Sequence, residues 1–293
     1  MVNVNRWKIG LIGLGHMGKP MARNLYKAGA SVTVASRSPG PVDELAGEGL
    51  TPADNPRKVA STADTIIIMV TDTVAVDNVL HGPDSVIAGL SPGKTVIDMG
   101  TTKVRETRKW AGEVGDTGCT YIDAPVSGGQ VGAEQASLSI MAGCTAEELE
   151  RVRPIFEVLG RNITHIGDIG AGQVAKTANQ AIVAVTLAAV AEGLTLAQRS
   201  GVDPSKVREA LQGGFAESRV LDLHGGRMVE RMFEPGGPAR VQLKDVDQAL
   251  ELAAQVGLDT PTLSGNRKLW QKMIDRGWGE LDQAGIIRVI EEL

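Results

Sequence analysis

The sequence predicts an α/β domain with a doubly wound, mostly parallel sheet, followed by an all-α C-terminal domain. Short apolar runs alternate with helical patterns up to residue 166, and the first of these runs leads through a glycine-rich turn straight into a helix. From residue 170 onward the apolar residues recur only at helical spacing. Because strands that alternate with helices build parallel sheets from βαβ units, we expect one domain over residues 1–167 and a second over residues 168–293.

The individual elements follow from local patterns. Runs rich in Val, Ile and Thr predict strands over 9–12, Ser31–Ala35, 65–69, Thr95–Asp98, Thr120–Asp123, 137–141 and 162–166. Apolar residues at helical spacing predict helices between several of them, over 19–26, 55–61, Thr73–Leu80 and 102–114. The same spacing predicts the helices of the second domain, over 170–199, Pro204–Leu211, 219–231, 242–256, 261–276 and 283–292.

The composition is that of an ordinary globular protein. The 293 residues carry a net charge of −5, with 42% hydrophobic and 22% charged residues. The acidic balance and the lack of a Lys/Arg run argue against a nucleic-acid partner. Cys119 and Cys144 form no C-x-x-C pair, and the four histidines lack metal-binding spacing. We therefore expect a cytoplasmic protein without a metal ion.

The longest apolar segment, 174–197, is the one candidate for a membrane span. It contains Lys176, Asn179, Gln180 and Glu192, which are costly to insert into lipid. A helix that is apolar on nearly all faces is more simply a buried central helix. The first apolar run of the chain leads directly into the glycine turn, so no signal peptide is expected either. We predict no association with a membrane.

The glycine-rich turn follows the first predicted strand and reads Gly13-Leu14-Gly15-His16-Met17-Gly18. In the arrangement strand, G-x-G-x-x-G, helix, the first glycine permits a tight turn, the second lets the backbone approach a phosphate, and the third lets the helix pack on the strand. The N-terminus of the helix offers unpaired N–H groups and the positive end of its dipole to an anion. Such a turn also occurs merely to reverse a chain, but the strand and helix on either side favour a Rossmann-type site for NAD or NADP.

The residues after the second strand bear on the choice between these two cofactors. NAD-binding folds usually place Asp or Glu there, on the ribose hydroxyls, whereas this chain has Ser36-Arg37-Ser38. A carboxylate would repel a 2′-phosphate. A guanidinium and two hydroxyls can hold one through charge-assisted hydrogen bonds of about 1.5–3 kcal/mol each. The alternative is that Arg37 is only a solvated loop residue. We expect NADP(H) to be preferred over NAD(H).

A second glycine turn, Ser127-Gly128-Gly129, follows a predicted strand at the carboxyl end of the sheet, where open α/β sheets bind their ligands. Successive backbone N–H groups and a hydroxyl suit a carboxylate. From the turn alone, a plain chain reversal is an equally good interpretation.

The long helix carries a polar face. Lys176, Asn179 and Gln180 have the spacing i, i+3, i+4 and therefore share one side of an otherwise apolar helix. Buried without partners, these groups would cost free energy, so they face either solvent or a polar site. Near a nicotinamide, Lys176 is a plausible acid for a carbonyl oxygen that accepts hydride, and Asn179 could orient the substrate.

Four blocks in a fixed order give the chain, over nearly its whole length, a resemblance to the β-hydroxyacid dehydrogenase family. They are residues 13–25 (GLGHMGKPMARNL), 123–129 (DAPVSGG), 170–180 (GAGQVAKTANQ) and the pair Lys244-Asp245. The family includes 3-hydroxyisobutyrate dehydrogenase and is related to 6-phosphogluconate dehydrogenase. The resemblance implies that Lys176 is the general acid/base, that Asn179 holds the substrate, and that Ser127-Gly128-Gly129 bind its carboxylate.

The resemblance also implies cofactor contacts beyond the glycine turn: Met69-Val70-Thr71 after the fourth strand, Thr101 after the fifth, and Lys244. The chain departs from the family at two of these places. Val70-Thr71 stands where Leu-Pro is frequent, and Gly100-Thr101-Thr102 stands where Ser-Thr-Ile or Ser-Ser-Ile is frequent.

The activity implied is reversible hydride transfer between NADP(H) and a small carboxylate-bearing 3-hydroxy acid or its semialdehyde, in a homo-dimer or homo-tetramer. Residues 213–221 (GGFAESRVL) most resemble the branch that reduces tartronate semialdehyde (2-hydroxy-3-oxopropionate). The alternatives are 3-hydroxyisobutyrate or succinic semialdehyde/4-hydroxybutyrate dehydrogenase, decarboxylating oxidation of a sugar-acid phosphate and, from another class, a non-catalytic NADP-binding module.

Overall fold

A computed structural model of the chain describes Val4, residues 7–234 and residues 236–293. The strands in these ranges are β1 (Lys8–Ile12), β2 (Ser31–Ala35), β3 (Thr51–Pro52), β4 (Thr65–Ile68), β5 (Thr95–Asp98), β6 (Thr120–Asp123), β7 (Val126–Ser127), β8 (Leu138–Gly143) and β9 (Gly160–Gly167). They form one sheet in the order β3-β2-β1-β4-β5-β6-β8-β7, with β9 paired to β8. Among the strand pairs of the described residues, only β6–β8 and β7–β8 are antiparallel, which confirms the predicted mostly parallel sheet.

The register of the sheet aligns the last residues of its central strands in one row. Ile12 pairs with Ala35 on one side and with Ile68 on the other. Ile68 pairs with Asp98, and Asp98 pairs with Asp123. The loops that leave β1, β2, β4, β5 and β6 therefore start side by side at the carboxyl edge of the sheet.

Helices cover both faces of this sheet, as a parallel sheet requires. They are α1 (Gly18–Lys27), α2 (Pro39–Gly47), α3 (Pro56–Thr62), α4 (Thr73–Leu80), α5 (Val86–Gly89), α6 (Val104–Gly115), α7 (Gly129–Glu134) and α8 (Ala146–Leu159). Because side chains alternate along a strand, Leu11 and Ile67 belong to one apolar core and Ile66 and Ile68 to another on the opposite face. The central strands are thus buried on both sides.

The predicted helix over 102–114 starts two residues later, at Val104, for a local reason. The backbone N–H of Thr102 donates to the side chain of Gln173, and the Thr102 hydroxyl donates to Asp98. Held by these two bonds, Thr102 stays in the loop, and Lys103 becomes the N-cap.

The second half of the chain is helical, as predicted. Its elements are α9 (Ala171–Arg199), α10 (Pro204–Leu211), α11 (Arg219–Glu230), α12 (Ala239–Gln255), α13 (Pro261–Asp275), a 3-10 turn (Gln283–Gly285) and α14 (Ile286–Glu291). The domain boundary expected at 167/168 stays a prediction. The chain divides into two compact units, Met1–Lys176 and Thr177–Leu293, so that the first turn of α9 belongs to the first unit. The reason is that the first turn of α9 is hydrogen-bonded to strand ends and loops of the first unit.

The expectation that α9 is a central helix buried on nearly all faces was wrong for the single chain. The helix is long and apolar enough to cross a membrane by length and composition, but only 33% of its most apolar stretch is buried. Ala184, Leu187, Ala191 and Leu194 lie along one stripe in the core of the second unit. Its other faces are richer in exposed side chains such as Ile182. The absence of membrane association stays a prediction.

A buried carboxylate organises one corner of the second unit. Asp282 is fully buried, pairs with Arg227, and accepts hydrogen bonds from the backbone N–H groups of Gly236, Gly237 and Ala284. Burial alone would raise the pKa of Asp282. The hydrogen bond from His224, the bond from Ala284 and the charge of Arg227 outweigh it and lower that pKa.

We expect Asp282→Ala to lower the free energy of unfolding by about 3 kcal/mol or more, because it leaves several buried donors without an acceptor. Urea titration at neutral pH measures this. Arg240→Ala, which breaks the exposed pair with Glu280, is the control and should cost less than about 1 kcal/mol. Equal losses in the two variants would contradict this account of the corner.

Candidate active site

The glycine turn takes the form that its three glycines predict. Gly13 has φ +98°, and a Cβ there would overlap the carbonyl oxygen of Met69. A Cβ on Gly18 would overlap the carbonyl oxygen of Gly13. On Gly15, however, a Cβ would meet nothing within 4 Å. The packing of the chain thus requires the first and third glycines, whereas the second leaves open space of the kind that a pyrophosphate needs.

Helix α1 begins directly after this turn and presents an uncapped N-terminus. Its N-cap residue, Met17, makes no side-chain hydrogen bond, and the first turn contains no acidic residue. Lys19 donates its N–H to the carbonyl oxygen of Gly15 (3.2 Å) and Pro20 has no N–H, so it is chiefly the positive end of the helix dipole that favours an anion at this position. Open space at Gly15 and an uncapped helix start together fit the diphosphate of a dinucleotide.

The predicted ribose-binding residues lie beside the turn. The N–H of Gly13 donates to the carbonyl oxygen of Ala35 (2.9 Å), so Ser36-Arg37-Ser38 leave the sheet next to the glycine turn. Arg37 is exposed, and within the described residues its guanidinium has no ion-pair partner. Ser38 is the N-cap of α2 but makes no side-chain capping bond. A cation and a hydroxyl are thus available where the 2′ substituent of the ribose is expected.

The loops after β4 and β5 approach the same edge. A Cβ on Gly13 would touch Met69 and Val70, and a Cβ on Gly100 would lie 3.0 Å from the carbonyl oxygen of Val70. The glycine turn and the loops with the predicted cofactor contacts therefore lie along the same edge of the sheet, with Met69-Val70-Thr71 after β4 and Thr101 after β5. The structure brings these residues together, and their contact with a cofactor stays a prediction.

The turn Ser127-Gly128-Gly129 joins the last residue of β7 to the first residue of α7. Gly128 and Gly129 have φ of +134° and +61°, and both are exposed. Ser127 pairs with Ser139 across the β7–β8 ladder, and a Cβ on Gly129 would meet nothing within 4 Å. The turn therefore offers backbone N–H groups and a hydroxyl at an open position.

Two buried aspartates accept hydrogen bonds from the loops at this edge of the sheet. Asp98 accepts hydrogen bonds from the N–H of Gly100 (2.9 Å) and from the hydroxyl of Thr102 (2.9 Å). Asp123 accepts from the N–H groups of Gly170 (2.6 Å) and Gln173 (2.8 Å) at the start of α9. Burial, above all, raises the pKa of Asp123 to about 6, although these two N–H bonds oppose the shift.

The side chain of Gln173 makes a further connection. It donates from Nε2 to the carbonyl oxygen of Gly100 and accepts at Oε1 from the N–H of Thr102, both at 3.0 Å. Three residues later in α9 comes Lys176, which is only 7% exposed. The predicted acid therefore sits on a helix whose first turn is bonded to the predicted cofactor loop.

The other polar residues of the α9 face belong to the second unit. Asn179 donates to the side chain of Gln180 (2.8 Å), and Gln180 donates to Asp245 (2.5 Å). The ammonium of Lys244 lies 2.9 Å from the other oxygen of Asp245. These contacts join α9, which carries Asn179, to α12, which carries Lys244. The substrate role of Asn179 and the cofactor role of Lys244 stay predictions.

Sequence reasoning gave Asp123 and Gln173 no role in the site. Asp123 lies in the motif 123–129 and Gln173 in the motif 170–180, but the hydrogen bond between them joins residues 50 positions apart in the sequence. The available signal was an Asp at the end of an otherwise apolar strand, which needs a buried partner. Among the described residues, no three His, Cys, Asp or Glu side chains gather as metal ligands would.

Two family models match the chain. The NAD binding domain of 6-phosphogluconate dehydrogenase matches residues 8–167. The NAD-binding domain of NADP-dependent 3-hydroxyisobutyrate dehydrogenase matches residues 170–290.

Individual relatives match over almost the full length. The chain is 43% identical over 285 residues to 2-hydroxy-3-oxopropionate reductase of Escherichia coli, which covers 97% of each chain. It is 34% identical over 282 residues to the NAD-dependent L-serine dehydrogenase of Pseudomonas aeruginosa, which covers 94% of this chain and 95% of that one. A crystal structure of 3-hydroxyisobutyrate dehydrogenase from Salmonella typhimurium matches with a TM-score of 0.89, at 26% identity over 97% of this chain and 99% of that one.

The fold and the carboxyl edge of the sheet define an oxidoreductase with a Rossmann-type site for a nicotinamide cofactor. The chain belongs to the β-hydroxyacid dehydrogenase family, among the relatives of 3-hydroxyisobutyrate dehydrogenase. The family, the fold class and the nicotinamide cofactor predicted from the sequence are thereby confirmed.

The two glycine positions give a matched pair of variants. We expect Gly15→Ala to change the free energy of unfolding by no more than about 0.5 kcal/mol, since its Cβ meets no protein atom. It should nevertheless weaken NADPH binding at least about tenfold, because the methyl group takes space needed by the pyrophosphate. Gly18→Ala should destabilise the fold by about 1–3 kcal/mol through overlap with Gly13. Isothermal titration with NADPH and urea titration measure the two effects, and unchanged binding by Gly15→Ala would contradict the assignment.

The raised pKa of Asp123 predicts how stability depends on pH. Its carboxyl holds a proton more tightly in the folded protein, with a pKa of about 6 against an ordinary 3.8, so ionisation removes stability as pH rises through that window. Two pKa units correspond to about 3 kcal/mol.

We therefore expect the free energy of unfolding of Asp123→Asn to rise by up to about 3 kcal/mol relative to that of the unmodified protein as pH increases from 3.8 to above 6. Urea titrations across that pH range measure this difference. Asp203→Asn is the control. Hydrogen bonds from Ser205 lower the pKa of Asp203, so its contribution to stability changes below pH 3.8, and the difference for that variant should stay nearly constant from pH 3.8 upward. A pH-independent difference for Asp123→Asn would refute the raised pKa.

Proposed function

We propose that this protein is an NADP(H)-dependent β-hydroxyacid dehydrogenase whose substrate is 2-hydroxy-3-oxopropionate (tartronate semialdehyde). The observation that carries the proposal is the bonding of Gln173 to both Gly100 and Thr102, which fixes the helix of Lys176 to the cofactor edge of the sheet. The relative with 43% identity, a 2-hydroxy-3-oxopropionate reductase, supports the choice of substrate.

In this mechanism the chain supplies binding, orientation and a proton. When bound, the reduced nicotinamide supplies the hydride. The backbone N–H groups and the hydroxyl of Ser127-Gly128-Gly129 hold the substrate carboxylate, and Asn179 orients the substrate. Lys176 donates a proton to the carbonyl oxygen as negative charge develops there, and it accepts the proton back in the reverse direction.

The preference for NADP(H) rests on Arg37. This exposed guanidinium follows β2 beside the glycine turn, and no carboxylate occupies the three positions after that strand. The match to a domain of NADP-dependent 3-hydroxyisobutyrate dehydrogenase supports the preference. The NAD-dependent L-serine dehydrogenase among the relatives shows that the family also uses the other cofactor.

We expect Arg37→Asp to lower kcat/KM for NADPH by at least about tenfold, because it removes a charge-assisted hydrogen bond of about 1.5–3 kcal/mol and places a carboxylate against the 2′-phosphate, and to leave kcat/KM for NADH within about twofold. Steady-state rates with each cofactor at saturating substrate measure this. Arg161→Asp, an equal charge change at an exposed position of β9, is the control and should leave both values unchanged. An equal loss for NADPH and NADH would count against a 2′-phosphate at Arg37.

We expect Lys176→Ala to lower kcat by about 10²- to 10⁴-fold, the contribution of a positioned general acid, and to leave NADPH affinity nearly unchanged. Pre-steady-state hydride transfer and NADPH titration measure the two quantities. Lys206→Ala, on the exposed face of α10, is the control. Near-normal turnover by Lys176→Ala would exclude it as the proton donor.

The substrate is tested by oxidation of NADPH against tartronate, methylmalonate, succinate and malonate semialdehydes. The highest kcat/KM with tartronate semialdehyde supports the proposal. A preference for another semialdehyde keeps the mechanism and overturns the substrate. Tight NADPH binding without turnover of any of them would instead favour a non-catalytic cofactor-binding module.

A further inference from the structure

We propose that Asp123 is a positioning residue for Lys176. Its buried carboxylate fixes the first turn of α9 and thereby the place of the Lys176 ammonium. The proposal rests on the proposed function, in which Lys176 is the proton donor.

Both oxygens of the Asp123 carboxylate are used for this purpose. Oδ1 accepts from the N–H of Gly170, immediately before α9, and Oδ2 accepts from the N–H of Gln173 within its first turn. Two bonds from one rigid planar group fix both the height and the rotation of the helix start. At 3.6 residues per turn, Lys176 follows Gln173 by less than one turn, so any displacement of that start moves the lysine with it.

Two glycines make room for this carboxylate. A Cβ on Gly172 would lie 2.8 Å from Oδ2 of Asp123 and would also overlap the carbonyl oxygen of Met141. A Cβ on Gly143 would overlap Oδ1. The backbones of α9 and β8 therefore close on the carboxylate from two sides, and its position has almost no freedom.

Asp123 differs from the residues that cap other helices of the chain. Thr145 caps α8 and Ser218 caps α11 from the chain immediately before each helix, with neutral side chains near the surface. Asp123 reaches α9 from a strand 47 residues earlier, and burial raises its pKa, so its charge is held at a cost in stability. A buried carboxylate that lowers stability yet holds the start of α9 is explained if that helix carries a group whose position matters for the reaction.

Among the described residues, the titratable side chains that interact with Asp123 are those of Asp98, Tyr121 and Cys144. Asp98 on β5 and the Tyr121 hydroxyl on β6 face the same buried region, and Tyr121 donates to Asp98 at 3.4 Å. Cys144, after β8, has its thiol pKa raised to about 12 mainly by burial and stays neutral. The carboxylate of Asp123 is thus compensated by the two N–H groups of the α9 start and by the dipole of that helix.

The test compares Asp123→Asn, Asp123→Ala and Gly172→Ala in the full-length protein, with NADPH and 2-hydroxy-3-oxopropionate. Asn keeps one acceptor oxygen and Ala keeps none, whereas Gly172→Ala keeps the carboxylate and adds a methyl group that overlaps both it and the carbonyl oxygen of Met141. Asp203→Asn is the matched control, because Asp203 also accepts the N–H of a first-turn residue, Ser205, in a helix that carries no site residue.

We expect kcat to fall about 10- to 100-fold in Asp123→Ala and Gly172→Ala, and less in Asp123→Asn, while the Kd for NADPH stays within about twofold. The pH at which kcat declines on the alkaline side should move in these variants, since the surroundings of the Lys176 ammonium change. Asp203→Asn should match the unmodified protein in all three respects.

An unchanged alkaline limb together with normal kcat in Asp123→Asn and Gly172→Ala would overturn the proposal. Losses of kcat that run parallel to losses of NADPH affinity and of unfolding free energy would also overturn it, since they indicate only a structural role. If Asp123→Ala does not fold, Gly172→Ala and Asp123→Asn decide by the same criteria. Lys176→Ala, assayed beside them, separates the two claims: an inactive Lys176→Ala with normal Asp123 variants removes only the positioning role, whereas an active one removes the proposed function.

Discussion

The register of the parallel strands is the constraint on which the rest of this structure depends. Because Ala35, Ile12, Ile68, Asp98 and Asp123 pair in one row, five loops leave the sheet side by side. Their backbones come so close that glycine is required where the first loop meets its neighbours. A one-residue slip of any strand would move its loop out of the row and turn its buried side chains to the opposite face.

The same register explains why carboxylates are buried beneath the loops at the carboxyl edge of the sheet. Loops that crowd together leave backbone N–H groups away from water, and each needs an acceptor. Asp98 and Asp123, at adjacent positions of the row, provide four acceptor oxygens. Three accept the backbone N–H groups of Gly100, Gly170 and Gln173, and the fourth accepts the Thr102 hydroxyl. The polar groups that shape the site are therefore also the ones that satisfy the backbone beneath it.

The sequence was sufficient for the local features of the fold and the site. The glycine turn, most strands and the polar face of α9 were predictable because each is set by residues close together in the chain. The partners of Asp123 were not, since Gly170 and Gln173 lie 47 and 50 residues away and only the folded sheet brings them together. The burial of α9 was overestimated because composition gives the apolar content of a helix but not the number of faces that find a partner. Helical periodicity likewise does not reveal that the first turn of α9 is bonded to the strand ends and loops of the first unit.

The most direct test of the central claim is a crystal structure of the protein with NADP+ and the hydroxyacid product. The account predicts that the pyrophosphate lies over Gly15 at the start of α1, that the 2′-phosphate contacts Arg37, and that the product carboxylate lies on the turn Ser127-Gly128-Gly129. The ammonium of Lys176 should be within hydrogen-bond distance of the product hydroxyl. A dinucleotide bound away from the row of strand ends, or a product hydroxyl without Lys176 beside it, would contradict the account.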